Sequence, residues 1–468
     1  MIASFAIVIL LSLALALASK RGQAGHDARA FFVASGQLGG LLVFFLSVGE
    51  TYSVASMLGF PGGVYAHGDG FSAWFFGYIL MIAPVIFFLG PWIARAGNLY
   101  GCATISDFFA RHFESRALEL VVTAAAIIVL VPVGTMQFLG LKIVLMTLAP
   151  DASPLLLITG AGILAFFYVA IAGLRASAFI AVLKDLLMIG SIMLVSGVAL
   201  AGWQHGLTAQ PSAPVAPMAL HDMRFAVTTI LVQSAGYAML PQTWSFLFSA
   251  RSADAIRRSQ VAAPLYMIMF PLLMCVATYA LFHGLHPAVP DQVFLTTASA
   301  LLPRWLLGIV LAGVTLAGLV LLSTVCLAIG SLATRNLVRG LGETGQTRGA
   351  KIVTALYLLL SIASAESSGH LMATMNNIIY FGIVQTLPGL VAALRFRRTP
   401  AIAVIAGIVA GDIVALAIFA SGIDVGGINP GLIGLLPNVA MLIALTALRP
   451  RQGARTVLDK LGDGAVAG

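Results

Sequence analysis

The sequence predicts an all-α polytopic membrane protein, and three observations predict it. Of 468 residues, 60% are hydrophobic and only 9% are charged, whereas a soluble domain carries about a quarter charged residues. Apolar runs of the roughly 20 residues that cross a bilayer recur along the chain. The basic residues cluster in alternate loops between those runs. About thirteen spans follow from the hydropathy pattern. They lie at roughly 2–19, 38–66, 71–94, 117–148, 153–173, 176–202, 225–248, 261–284, 303–335, 351–368, 370–394, 400–420 and 428–448. The first lacks a charged leading segment and is followed at once by Lys20 and Arg21, which marks a retained helix rather than a cleaved signal.

Of the 25 Lys and Arg residues, 21 fall on one side of this pattern. They lie between 20 and 29, 95 and 116, at 175, between 251 and 258, 335 and 351, 395 and 398, and 449 and 460. Arg224 and Arg304 fall on the other side, and Lys142 and Lys184 lie within spans. The asymmetry puts the C-terminus in the cytoplasm and the N-terminus outside. It also accounts for the net charge of +8 without a nucleic acid partner. Cys102, Cys275, Cys326 and the eight histidines show no metal-ligand spacing, so no cofactor is expected. Neither a His/Glu metal set nor a Ser–His pair suited to an intramembrane enzyme is present, and no filter-like signature suggests a channel.

Two spans carry interruptions. The first contains FLSVGETYSVASMLGFPGGVY, whose middle is small, polar and acidic. Irregular backbone at bilayer depth is tolerated where it is buried in protein or lines a cavity, and transporters use such breaks for midplane sites. The second is LVQSAGYAMLPQTW within 225–248. It comes five helices after the first, the spacing of an inverted repeat of five plus five helices. Glu50 in the first broken span and Lys184 in the sixth span are the charges at bilayer depth that demand a partner, a cavity or a role. Lys184 and Asp185 are adjacent on one helix, where side chains diverge, so a direct pair between them is not expected.

The stretches GETYSVASMLGFPGGVYAHG, ATISDFFARHF, AGLRASAFIAVLKDLLMIG, FSARSADAIRRSQVAAPLY, SLATRNLVRG and IVQTLPGLVAAL follow in order between about 36 and 420. Together they resemble the solute:sodium symporter family, and within it the monocarboxylate-permease branch. The resemblance implies the LeuT fold, alternating access and ion-coupled uptake by a single transmembrane domain over 1–468. Its parts are an extra N-terminal helix and cytoplasmic loop (1–35), an inverted-repeat core (36–396), two extra C-terminal helices (397–448) and a cytoplasmic tail (449–468).

Carried over residue by residue, the family's sodium site matches backbone carbonyls of Gly49, Tyr52 and Ala317. Its two hydroxyl positions fall on Val320 and Leu321, which cannot ligate a cation, with Ser323 and Thr324 three residues on. The family's acidic position on the sixth span is matched by Ala181, one turn from Lys184. A hard cation wants about six oxygen ligands, so the site reads as altered, with the Lys184 ammonium in place of the ion and protons as the alternative coupling ion to sodium. Apart from that sodium site no metal is expected. For the substrate, the half-helix that starts near Ser53 offers a positive end to an anion. Protonation of the nearby Glu50 would remove its repulsion of a carboxylate. Thr51, Gln137, Gln233, Ser234, Tyr237, Gln242, Asn376 and Asn377 are further wall candidates, each with interhelical hydrogen bonding as its alternative role.

The expected function is cation-coupled symport of a small organic anion such as acetate, propionate, pyruvate or lactate. A sodium symporter for an amino acid, sugar or vitamin is the first alternative. A membrane sensor domain is the second, disfavoured by the short segment after the last span. The partners expected are the substrate, the coupling cation and the lipid bilayer, with no obligate protein partner, in the plasma membrane (a bacterial inner membrane).

Overall fold

The computed structural model describes residues 1–19, 32, 38–203, 218–338, 340–367, 372–451, 453 and 455–466. The described residues fold into helices joined by short turns. The first half holds α1 (Ile2–Ser19), α2 (Gly40–Thr51), α3 (Phe60–His67), α4 (Asp69–Tyr100), α5 (Ile105–Phe113), α6 (Arg116–Leu148) and α7 (Pro154–Trp203). The second half opens with α8 (Leu220–Tyr237), α9 (Pro241–Ser249), α10 (Ala253–Ala262), α11 (Met269–Phe282) and α12 (Val293–Leu301). It continues with α13 (Arg304–Ser331), α14 (Glu343–Ser367), α15 (Met372–Ile383) and α16 (Leu387–Arg395). Then come α17 (Ala401–Ser421), α18 (Pro430–Leu448) and α19 (Val457–Val466).

Among the described residues nine helices are long and apolar enough to cross a membrane, or ten when α2 and the helix after it are one bent span. The stretches read from sequence as separate helices at 153–173 and 176–202 carry helical backbone throughout as α7.

With no water in the hydrocarbon to satisfy peptide groups, each span closes its backbone hydrogen bonds internally. Helices then associate through close packing and small residues. At the centre stands α13, whose apolar window is 89% buried, against 22% for the peripheral α18. It packs against α6, α7 and α14, and α1 docks on α7 and α13. The α17–α18 pair packs on itself and reaches the core through α15.

The first broken span bends by 48° between Gly40–Thr51 and Ala55–His67. A π-helical turn, Ala55–Gly59, leads into α3. Side chains answer part of the freed backbone: Ser56 Oγ donates to the Thr51 carbonyl (2.9 Å) and Ser53 Oγ accepts from the Ala55 N–H (3.3 Å). The second break, between α8 and α9, follows from Pro241, which lacks an N–H and holds Leu240 extended at ψ 135.

Helix α6 closes directly on the first break. A Cβ added to Gly140 of α6 would lie 1.9 Å from Val54 Cγ1, at the first break. Gly140→Ala is therefore expected to push α6 off the break, lowering stability by about 1–3 kcal/mol and abolishing transport. Thermal unfolding in detergent and uptake in liposomes check this, and an unchanged variant would refute the close approach.

Candidate functional site

The two breaks meet around a cavity of about 30 Å³, space for about two water-sized groups. Its floor is the first break: Glu50, Thr51, Ser53 and Ser56. Tyr237, Leu240 and Gln242 line it from the second break, Val133 and Met136 from α6, and Leu321 from α13. Tyr78 of α4 and Asn376 and Tyr380 of α15 complete the wall. The positive N-terminal ends of two half-helices, the Ala55 turn and α9, thus approach one polar pocket, the arrangement that favours an anion.

Hydrogen bonds tie the breaks together. The Thr51 hydroxyl donates to the Tyr237 hydroxyl (3.2 Å), and Tyr237 donates to the Ser47 carbonyl (3.3 Å). Gln260 Nε2 donates to Ser47 Oγ (2.9 Å). At the ends of the same spans, the Leu38 N–H donates to the Ser249 carbonyl (3.0 Å) and the Arg251 N–H to the Leu38 carbonyl (3.0 Å). Tyr78 stacks on Trp74 with ring centres 6.2 Å apart, while Trp244 is fully buried and donates Nε1–H to the Ala238 carbonyl (2.9 Å). Both tryptophans are packing residues in this structure.

Lys184 lies beside the first break, outside the cavity lining, and is fully buried. Its ammonium donates to the Tyr52 carbonyl at 3.0 Å, and a Cβ on Gly49 would lie 3.5 Å from Nζ. Tyr52 caps the C-terminus of α2, the negative end of that half-helix, where a cation is favoured. Among the polar neighbours of the Glu50 carboxyl group are the Thr324 hydroxyl and the Lys184 ammonium.

One expectation is corrected here: Lys184 does form an ion pair with its neighbour Asp185, itself fully buried. The four-carbon stem of Lys184, anchored on the Tyr52 carbonyl, folds its ammonium back to the adjacent carboxylate. Asp185 is the charged residue of this site that sequence reasoning set aside, because adjacency on a helix argued against contact.

The remaining sequence-derived residues separate into two groups. Thr51, Ser53, Tyr237 and Asn376 line the cavity, as does Glu50. Gln137, Gln233, Ser234 and Asn377 do not line it. Gln233 bridges Asn377 and Asn376, and the Ser234 hydroxyl returns to the Ile230 carbonyl (2.6 Å). Gln137 is fully buried, and neither of its amide atoms has a partner among the described residues. Ser323 Oγ donates to the Val320 carbonyl (2.7 Å) and lies 2.8 Å from Ser177 Oγ, and Thr324 donates to the Leu321 carbonyl (2.9 Å). Ala317 is fully buried on α13. Ser56 belongs to the small, polar middle of the first broken span, whereas Tyr78 and Tyr380 went unnoticed in the sequence. Both are aromatic residues in apolar runs, and a tyrosine there reads as packing until the fold turns its hydroxyl inward.

A broken-helix pocket of this kind has close parallels. The family model described as "Sodium:solute symporter family" matches residues 31–396. The chain is 24% identical to the "Uncharacterized symporter YhjB" of Bacillus subtilis over 94% of this chain and 95% of that one. It is 27% identical to the "Monocarboxylate transport permease protein" of Rhizobium johnstonii over 87% of this chain and 88% of that one. Its fold is similar to a Na+-coupled sialic acid symporter solved substrate-bound and outward-open, with a TM-score of 0.76 at 15% identity, covering 96% of this chain and 98% of that one. The LeuT-type fold and a family match over most of its length agree: this chain is an integral membrane transporter, a cation-coupled symporter of the sodium:solute symporter family.

Proposed function

We propose that the protein takes up a short-chain monocarboxylate together with a proton, with its basic helix ends and C-terminus in the cytoplasm of a bacterial cell. The observation that carries the coupling reading is the Lys184 ammonium on the Tyr52 carbonyl. By family resemblance that carbonyl belongs to the sodium site. A fixed ammonium there competes with Na+ for the same oxygen, and the nearby side chains Val320, Leu321 and Ala181 offer no oxygen ligand. The balance of basic residues supports the orientation.

The pocket supports the substrate class. The small volume, about 30 Å³, argues against a sugar or a vitamin, and the 27% identical relative bears a monocarboxylate name. The carboxylate sits against the half-helix N-terminus at Ser53. With Glu50 protonated, no negative charge opposes it. Proton and substrate then each raise the other's affinity by the same factor, as linkage requires, and the loaded carrier crosses without net charge.

Uptake of labelled lactate, pyruvate, propionate and acetate into proteoliposomes, with inward proton and sodium gradients imposed separately, tests this. Protein-free liposomes correct for neutral acid that crosses the lipid unaided. Uptake driven by protons without sodium is expected. A sodium requirement would overturn the coupling reading, and failure of all four acids the substrate reading.

A further inference from the structure

Gln242 occupies the second position of α9, directly after Pro241. It is 3% exposed, lines the cavity, and its Oε1 is wholly buried with no donor among the described residues. Buried side-chain amides nearly always have partners, and an acceptor left without one is costly. Several other polar groups of the wall are engaged within the protein. Asn376 donates to Tyr78 and Gln233, Ser56 to the Thr51 carbonyl, and Tyr237 to the Ser47 carbonyl. Of the two amides in the wall, Gln242 is the one with a buried acceptor that lacks a donor among the described residues.

We propose that Gln242 is a specificity-determining residue that hydrogen-bonds a hydroxyl on carbon 2 of the substrate, so that the site takes 2-hydroxy monocarboxylates in preference to the unsubstituted acids. The inference rests on the monocarboxylate reading above and deepens it. A 2-hydroxyl both donates and accepts, which is what a primary amide needs. With the carboxylate held at the Ser53 half-helix, carbon 2 is the next atom of the ligand, and α9 presents Gln242 from the opposite break. An acid with only hydrogens on carbon 2 leaves the amide unpaired, and a site built around such a group discriminates strongly against the analogue that lacks the partner.

The test is the ratio of apparent affinities for lactate and propionate, which differ by that hydroxyl, in proteoliposomes of the wild-type chain and of Gln242→Leu. The wild type is expected to favour lactate by about tenfold or more, and Gln242→Leu to bring the ratio to within about twofold of unity. Should Gln242→Leu fail to fold, Gln242→Asn is measured in the same way, and the wild-type ratio stands without either variant. A wild-type ratio near one, or a ratio that survives the substitution, overturns the role of Gln242 while leaving the monocarboxylate reading intact. Binding of neither acid overturns both.

Discussion

Lys184→Met is expected to abolish gradient-driven uptake and to destabilise the protein by about 3–5 kcal/mol, the cost of removing one partner of a buried ion pair. The reason is geometric. Lys184 is fully buried, donates to the Tyr52 carbonyl at 3.0 Å and neutralises Asp185. Without the ammonium, the Asp185 carboxylate stands unpaired in the protein interior, and the carbonyl at the C-terminal end of α2 loses its cation. The double variant Lys184→Met, Asp185→Asn removes both charges. It is expected to recover most of the stability, because two neutral groups need no solvation, and to stay inactive in proton-driven uptake. Thermal unfolding in detergent beside uptake separates the two roles. A double variant that regains proton-driven uptake would reduce Lys184 to a structural charge. A single variant that gains sodium-driven uptake would strengthen the reading that the ammonium stands in for the ion.

Glu50→Gln is expected to remove the pH dependence of transport while keeping the fold. Glutamine has the shape of the protonated carboxyl and cannot lose a proton, so the pocket stays permanently in its neutral form. The sign follows directly. In the wild type, substrate binding weakens as pH rises and Glu50 gives up its proton. In Glu50→Gln it is flat with pH, and an imposed proton gradient no longer concentrates substrate, leaving only exchange of labelled for unlabelled acid. Counterflow and gradient-driven uptake measured side by side distinguish the two activities. Gradient-driven accumulation at the wild-type level in Glu50→Gln would exclude Glu50 as the proton carrier.

Much of the site was legible before the fold because membranes penalise departures from an apolar helix. Glu50 and Lys184 stand out as charges at bilayer depth, and the two interruptions stand out as small and polar residues where leucine would serve. The cavity wall was harder to read. Thr51, Ser53, Tyr237 and Asn376 reached it, whereas Gln233 and Asn377 turned to each other. Polar residues in a helix bundle look alike in sequence whether they bind ligand or join helices. Tyr78 and Tyr380 gave no signal, since a tyrosine in an aromatic-rich run reads as packing.

The sequence by itself determined the class of molecule, the family and the two points at which the spans break, because hydropathy, basic-residue asymmetry and helix-breaking residues act locally. The tertiary structure decided which groups share a pocket. It brought Lys184 to the Tyr52 carbonyl across 132 positions, closed it onto Asp185 against the local rule for adjacent residues, and left Gln242 Oε1 without a donor among the described residues. Such pairings depend on how helices far apart in the chain rotate and pack. That rotation is set by the fit of many small residues at once, as at Gly140 against Val54, and no single segment of sequence encodes it.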